Sequence, residues 1–197
     1  MISSTNNYKD FIYIVSNYGE LREPVLNQHN FKYWMCKRYF SRYISDPAGD
    51  LYIMGGSSDR AFSYVFDEFE KIDRNDGLLT ILPNMIVPRA NLSTICYPPD
   101  NLIIVGGDTG EFSVTNTCEI YSIPHKLWSF LPSLNIPRSN TSLCLLNSTL
   151  YSFGGYNRIT IKEKVLSTIE KLSIVSDVDK DNWDLLDIKL PQPRSNL

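Results

Sequence analysis

Histidine is almost absent from this chain: His29 and His125 are the whole complement among 197 residues. Two imidazoles so far apart in sequence are too few for a histidine-rich metal site. Cysteine is scarce too, and Cys36, Cys96, Cys118 and Cys144 never approach the Cys-x-x-Cys spacing that grips zinc. No metal and no cofactor is therefore expected. A secretory signal is missing, because the apolar stretch Phe11 to Val15 is short and has no basic segment before it. Reduced thiols in a cytoplasmic protein are expected rather than two disulfides. No excess of one charge exists either: 19 basic side chains meet 22 acidic ones, for a net charge of −3. That balance gives no electrostatic reason to bind nucleic acid. No run approaches the ~20 apolar residues of a membrane span. Nucleotide-binding glycine loops, Gly-x-Ser-x-Gly and His-Glu-x-x-His are all missing. The three Asn-x-Ser/Thr sequons, at Asn91, Asn140 and Asn147, read as chance in an Asn- and Ser-rich chain.

What the chain does have is apolar and aromatic side chains, at 43% and 12%. The apolar share is too high for disorder, and the aromatics lean towards strands. Above all it has an internal period. Three glycine pairs close short apolar runs: Leu51-Tyr52-Ile53-Met54 before Gly55-Gly56, Leu102-Ile103-Ile104-Val105 before Gly106-Gly107, and Leu150-Tyr151-Ser152-Phe153 before Gly154-Gly155. The pairs are 51 and 48 residues apart. Pro88-Arg89, Pro137-Arg138 and Pro193-Arg194 recur on the same beat, each followed by a small residue and Asn. Between them fall Glu70 with Ile72, Glu119 with Tyr121, and Glu170 with Leu172. Trp128 follows Glu119 by nine residues and Leu79 follows Glu70 by nine, whereas Trp183 follows Glu170 by thirteen. The third unit thus carries about four extra residues in that loop. Leu82-Pro83 and Leu131-Pro132 complete the match.

Each unit reads as one four-stranded antiparallel sheet. Strand one follows the Pro-Arg pair, at 92–97 and 141–146, and a tight turn such as 98–101 joins it to the strand that ends in the glycines. Strand three carries the Glu, and strand four the Trp or Leu. A sheet this small cannot bury both faces alone, so the units must stack, and about 50 residues per unit suits propeller blades.

These landmarks resemble the kelch-repeat β-propeller family, marked by a double glycine, a Glu-x-Tyr, a later Trp, and a Leu-Pro then Pro-Arg link. The unit from Arg89 to Pro137 matches nearly every mark. The first has Leu79 in place of the Trp, and the third has Leu172 in place of the Tyr. Arg38 precedes Gly55 by the same 17 residues that separate Arg89 from Gly106. The fold expected is all-β, a partial kelch-type propeller of three four-stranded antiparallel blades at 38–88, 89–137 and 138–193. The start of a further blade follows at 194–197, and 1–37 forms a degenerate blade remnant or cap. Closed propellers of this family carry five to seven blades, so three leave apolar faces open. A piece of a longer protein, a second copy and an open wedge are the three alternatives.

For the candidate residues the resemblance implies frame rather than chemistry. Glu70, Glu119 and Glu170 look like a carboxylate set, but each holds the same place in its own blade and they cannot converge. In the family this Glu bonds neighbouring backbone or the Arg of the link, so Arg38, Arg89, Arg138 and Arg194 are expected to tie blades together. Tyr121, Trp128 and Trp183 are expected between blades, and His125 in an exposed turn. The family's partner face is built from the loops after the glycines, here 57–63, 108–115 and 156–162. Asp59, Arg60, Asp108, Glu111, Tyr156 and Arg158 are the candidate contacts there. A non-enzymatic module that holds a protein partner of unknown identity is expected, with no catalytic residues, and self-association or missing blades is the further expectation for completing the propeller. No BTB or F-box segment is recognisable in 1–37. The alternative is a carbohydrate enzyme such as a sugar mutarotase, which would need charged side chains converging on the central cavity.

Overall fold

The computed structural model describes residues 38–158, 164–174 and 182–196. The expectations for 1–37 (with His29 and Cys36), for 159–162 of the third loop and for Leu197 lie outside the described residues.

Sixteen strands form among the described residues, and no helix. The first sheet is a meander of β1 (Arg42–Ser45), β2 (Leu51–Met54), β3 (Phe69–Ile72) and β4 (Leu79–Leu82). The second blade opens with β5 (Ser93–Tyr97) and β6 (Asn101–Val105), then a short hairpin of β7 (Asp108–Gly110) and β8 (Ser113–Val114). It closes with β9 (Cys118–Ser122) and β10 (Leu127–Leu131), which complete a four-stranded sheet with β5 and β6. The third repeats that plan with β11 (Ser142–Leu146), β12 (Thr149–Phe153), the hairpin β13 (Tyr156–Asn157) and β14 (Lys164–Val165), then β15 (Thr168–Ser173) and β16 (Asp184–Lys189). All pairings are antiparallel. The segments 108–115 and 156–162, expected as loops, thus contain β7, β8 and β13.

Period-two alternation sends each strand's side chains to two opposite faces, and both faces of the middle sheet are apolar. One face brings Leu102, Ile104, Tyr121 and Trp128 against Tyr52, Met54, Phe69 and Leu82 of the first sheet. The other sets Ile103, Val105 and Cys118 against Leu150, Leu172 and Trp183 of the third. A sheet packed on both sides is what the continuous run from Leu102 to Val105 demands. Those four residues are fully buried. Tyr121 and Trp128 meet Phe69 edge to face at 4.7 and 5.0 Å between ring centroids. Burial pushes the Cys118 thiol up to about 12, which makes it an inert core group.

The second glycine pair shows why no side chain is tolerated there. Gly106 and Gly107 have φ of 61° and 117°, and a β-carbon on Gly106 would collide with the Arg138 carbonyl. Close approach serves a hydrogen bond, since the Gly107 N–H donates to that carbonyl at 3.0 Å.

Candidate functional site

The ionic residues that recur from unit to unit form the joints of the frame. Arg89 and Glu119 are buried and paired at 2.5 Å, as are Arg138 and Glu170. Arg89 also donates to the carbonyls of Val87, Gly106 and Thr117 and to the Thr117 hydroxyl, so every N–H of the guanidinium has an acceptor. Glu119 accepts the backbone N–H groups of Ile86 and Val87, on the link from the first sheet. Arg138 and Glu170 repeat the pattern with Gly154, Thr168, Asn135 and Ile136. Burial pulls both guanidinium groups below their ordinary value while the Glu partners hold them up. The Arg backbone meanwhile stays with the preceding blade: Arg89 N–H donates to Phe66 at 3.0 Å and its carbonyl accepts from Gly56. Each Arg therefore joins two blades, backbone to one and side chain to the next.

Arg38 and Glu70 make the same pair at 2.6 Å, but less completely. Arg38 Nε and Nη1 and Glu70 Oε2 are buried with no hydrogen-bond partner. Glu68 stands where Thr117 and Thr168 offer hydroxyls, and its Oε2 is unpartnered as well.

The tryptophans lock the same joints. Trp128 Nε1 donates to the Pro83 carbonyl at 2.8 Å, and Trp183 Nε1 to Pro132 at 2.9 Å. Leu-Pro in one blade and Trp in the next are thus one device. His125 lies in the β9–β10 turn, where Nδ1 meets the Ser122 hydroxyl at 2.8 Å.

Along the inner strands, Asn91, Asn140 and Asn196 follow the three link arginines and all have positive φ, a conformation Asn accepts readily. Asn91 N–H donates to Phe40 O, Asn140 N–H to Asn91 O, and Asn196 N–H to Asn140 O, at 2.9 to 3.0 Å. Arg42 adds a side-chain bridge across three blades, donating to Leu92 O at 2.9 Å and to Asn140 Oδ1 at 2.8 Å. The Asn after each Pro-Arg pair recurs in the sequence with no sign of this role, and Arg42 carries no signal there because its two acceptors lie 50 and 98 residues away.

At one end of this frame the segments after the three glycine pairs converge. Arg158, from the third blade, donates to Glu111 O of the second at 3.0 Å and lies 5.7 Å over the Phe62 ring of the first. It also stacks on Tyr156 at 5.5 Å. Phe62 stacks on Phe40 at 5.1 Å, and Arg60 lies over Tyr39 at 5.8 Å. Phe112 and Tyr64 stand largely exposed in the same segments. The six candidate residues take different parts here. Asp59 caps its own loop, accepting from Ala61 and Ser63 N–H, and hydrogen bonds from Ser63 hold its carboxyl below the ordinary range. Asp108 is buried, bonded to Asn91 Nδ2 at 2.7 Å, and burial raises its carboxyl. It belongs to the frame. Arg60 and Glu111 are exposed, and Tyr156 and Arg158 half-buried. Sequence spacing had no means of singling out Phe62, whose neighbours come from other blades.

Stacked four-stranded sheets, a glycine pair after each second strand and a buried Arg–Glu joint define a kelch-type β-propeller. The solved structure of YjhT, a kelch-type propeller, superposes with a TM-score of 0.68 at 11% identity, over 80% of this chain and 57% of that one. In sequence the chain is similar to kelch-repeat proteins. It is 27% identical over 112 residues to Kelch repeat and BTB domain-containing protein 2 of cowpox virus. It is 37% identical over 57 residues to human Kelch-like protein 28, and 24% over 104 residues to an F-box/kelch-repeat protein of Arabidopsis thaliana. These stretches cover 57%, 29% and 51% of this chain. They span only 20%, 10% and 24% of the length of those relatives. No protein-family model matches the chain. Among the described residues no helix is long and apolar enough to cross a membrane.

Proposed function

We propose that this chain is a non-enzymatic interaction module that holds a protein partner on the face where its three glycine-pair segments meet. The observation that carries this reading is Arg158, which ties segments of three blades into one surface through Glu111 and Phe62. Loops fixed on a rigid scaffold are where binding resides, and Arg and aromatic side chains dominate the energetics of protein interfaces. Exposed Phe112 and Tyr64 supply such anchors. The names of the relatives, which join kelch repeats to BTB or F-box domains, support an adaptor role.

The carbohydrate-enzyme alternative fits less well. Glu119 and Glu170 are consumed inside the blade joints, and among the described residues the inner strands offer Arg42, Asn91, Asn140 and Ser93 instead of a converging acid pair. The test is crosslinking in a cell extract followed by mass spectrometry. A specific partner should be lost on Phe112→Ala with Tyr64→Ala and kept on Ile188→Ala, at the outer strand. Interconversion of sugar anomers by the purified chain, abolished by Arg42→Ala, would overturn the proposal.

A further inference from the structure

Arg42 breaks the repeat at the inner edge of the frame. The register sets it opposite Met54, as Ser93 is set opposite Val105 and Ser142 opposite Phe153. Two blades thus have a small hydroxyl where the first has a guanidinium. Stacking does not require the exchange, since Ser93 reaches the next blade through its own bond to Thr141 O.

Its charge has no counterpart. Arg38, Arg89 and Arg138 each face a Glu. Arg42 is half-buried, yet among the described residues no carboxylate pairs with it. Burial pulls its guanidinium below the ordinary value, and the group acting against that is the Tyr43 phenol rather than an acid. Both of its bonds go to neutral oxygens, Leu92 O and Asn140 Oδ1. The N–H groups on Nη1 have no acceptor among the described residues.

The bond to Asn140 creates a second donor. With Oδ1 held by the guanidinium, the Nδ2 group of the same carboxamide stands beside it, and it too has no acceptor among the described residues. Asn91, one blade earlier, spends that group on Asp108 at 2.7 Å.

We propose that Arg42 and Asn140 form a binding site for a singly charged carboxylate, one oxygen on Arg42 Nη1 and the other on Asn140 Nδ2. Two coplanar oxygens suit two neighbouring donors, and one negative charge matches the one cation. A doubly charged phosphate would bring surplus charge that no second cation pairs with here. The site is built from inner strands and uses neither Phe112 nor Tyr64, so it does not rest on the partner reading.

The test is NMR on the 15N-labelled chain while acetate replaces chloride at constant ionic strength. The Arg42 Nε–H and Asn140 Nδ2 signals should move together along one saturating curve, which those of the exposed Arg60 and Arg194 should not follow. Asn140→Asp places a carboxylate beside the guanidinium, and Asp also accepts positive φ. That variant should melt higher in chloride and lose the acetate response. A blocked Gly-Glu-Gly peptide run in parallel separates the sources: tighter binding than acetate assigns an acidic side chain, weaker binding a free small acid. Signals that respond to acetate no more than to chloride would overturn the proposal. So would tighter binding of phosphate, or an acetate response that survives Asn140→Asp.

Discussion

Arg89 and Glu119 are both fully buried, lie 30 residues apart, and leave no donor or acceptor of either side chain unused. Such a pair gives modest net stability while intact, because two charges must be desolvated, but breaking it strands a charge in the interior. Glu119→Ala should therefore cost about 3–5 kcal/mol. Glu70→Ala should cost distinctly less, since Arg38 already has two buried nitrogens without partners. Urea unfolding midpoints of the two variants, compared at constant slope, check the ranking.

Trp128 spans two blades through one hydrogen bond to Pro83 and through ring contacts with Phe69 and Tyr121. Trp128→Leu copies the side chain that the first blade has at this position, Leu79. It should nonetheless destabilise by about 3 kcal/mol, from a cavity plus an orphaned carbonyl. Leu79→Trp should give no matching gain. Chemical denaturation of both variants measures the asymmetry.

The backbone of Asn140 is left-handed, with φ 50°, and its Oδ1 receives Arg42. Asn140→Ala should lose about 1–2 kcal/mol from the conformation and further stability from the lost Arg42 contact. Asn140→Gly removes only the contact and should be the milder variant. A smaller thermal shift for Ala than for Gly would contradict the conformational part.

Asp108 supplies a pH dependence of definite sign. Burial raises its folded carboxyl above the unfolded value, with Asn91 and Arg158 acting in the other direction. Below the ordinary carboxyl range both states are protonated and the group has no effect. As pH rises through the unfolded value and on to the folded one, the unfolded state ionises first and stability falls. Asp108→Asn should thus gain on the wild type as pH increases from strongly acidic to neutral, and the pH-dependent part of the difference should vanish at the acidic end. Paired thermal melts across that range test it.

The frame was legible in the sequence because the same constraint recurs three times. Glycine pairs, Pro-Arg links and the Glu two before Tyr121 or Leu172 are each forced by contact between successive blades, so they keep one spacing. Even degenerate blades kept it: Leu79 lost the indole of Trp128, but its strand kept register with Ile72. The loop face was less legible. Asp59, Asp108 and Glu111 look alike as isolated acids, yet one caps a turn, one is buried beside Asn91, and one lends only its carbonyl to Arg158. Those differences arise from neighbours 17 and 47 residues away, which spacing within one unit does not record.

The row from Phe40 through Asn91 and Asn140 to Asn196 runs in one direction, each N–H reaching back to a carbonyl laid down earlier in the chain. Synthesis from the N-terminus delivers each acceptor of this row before its donor, whereas the N–H groups of Gly56 and Gly107 must wait for the carbonyls of Arg89 and Arg138. The two sets of bonds point opposite ways along the chain, so each blade is completed only by the one that follows it.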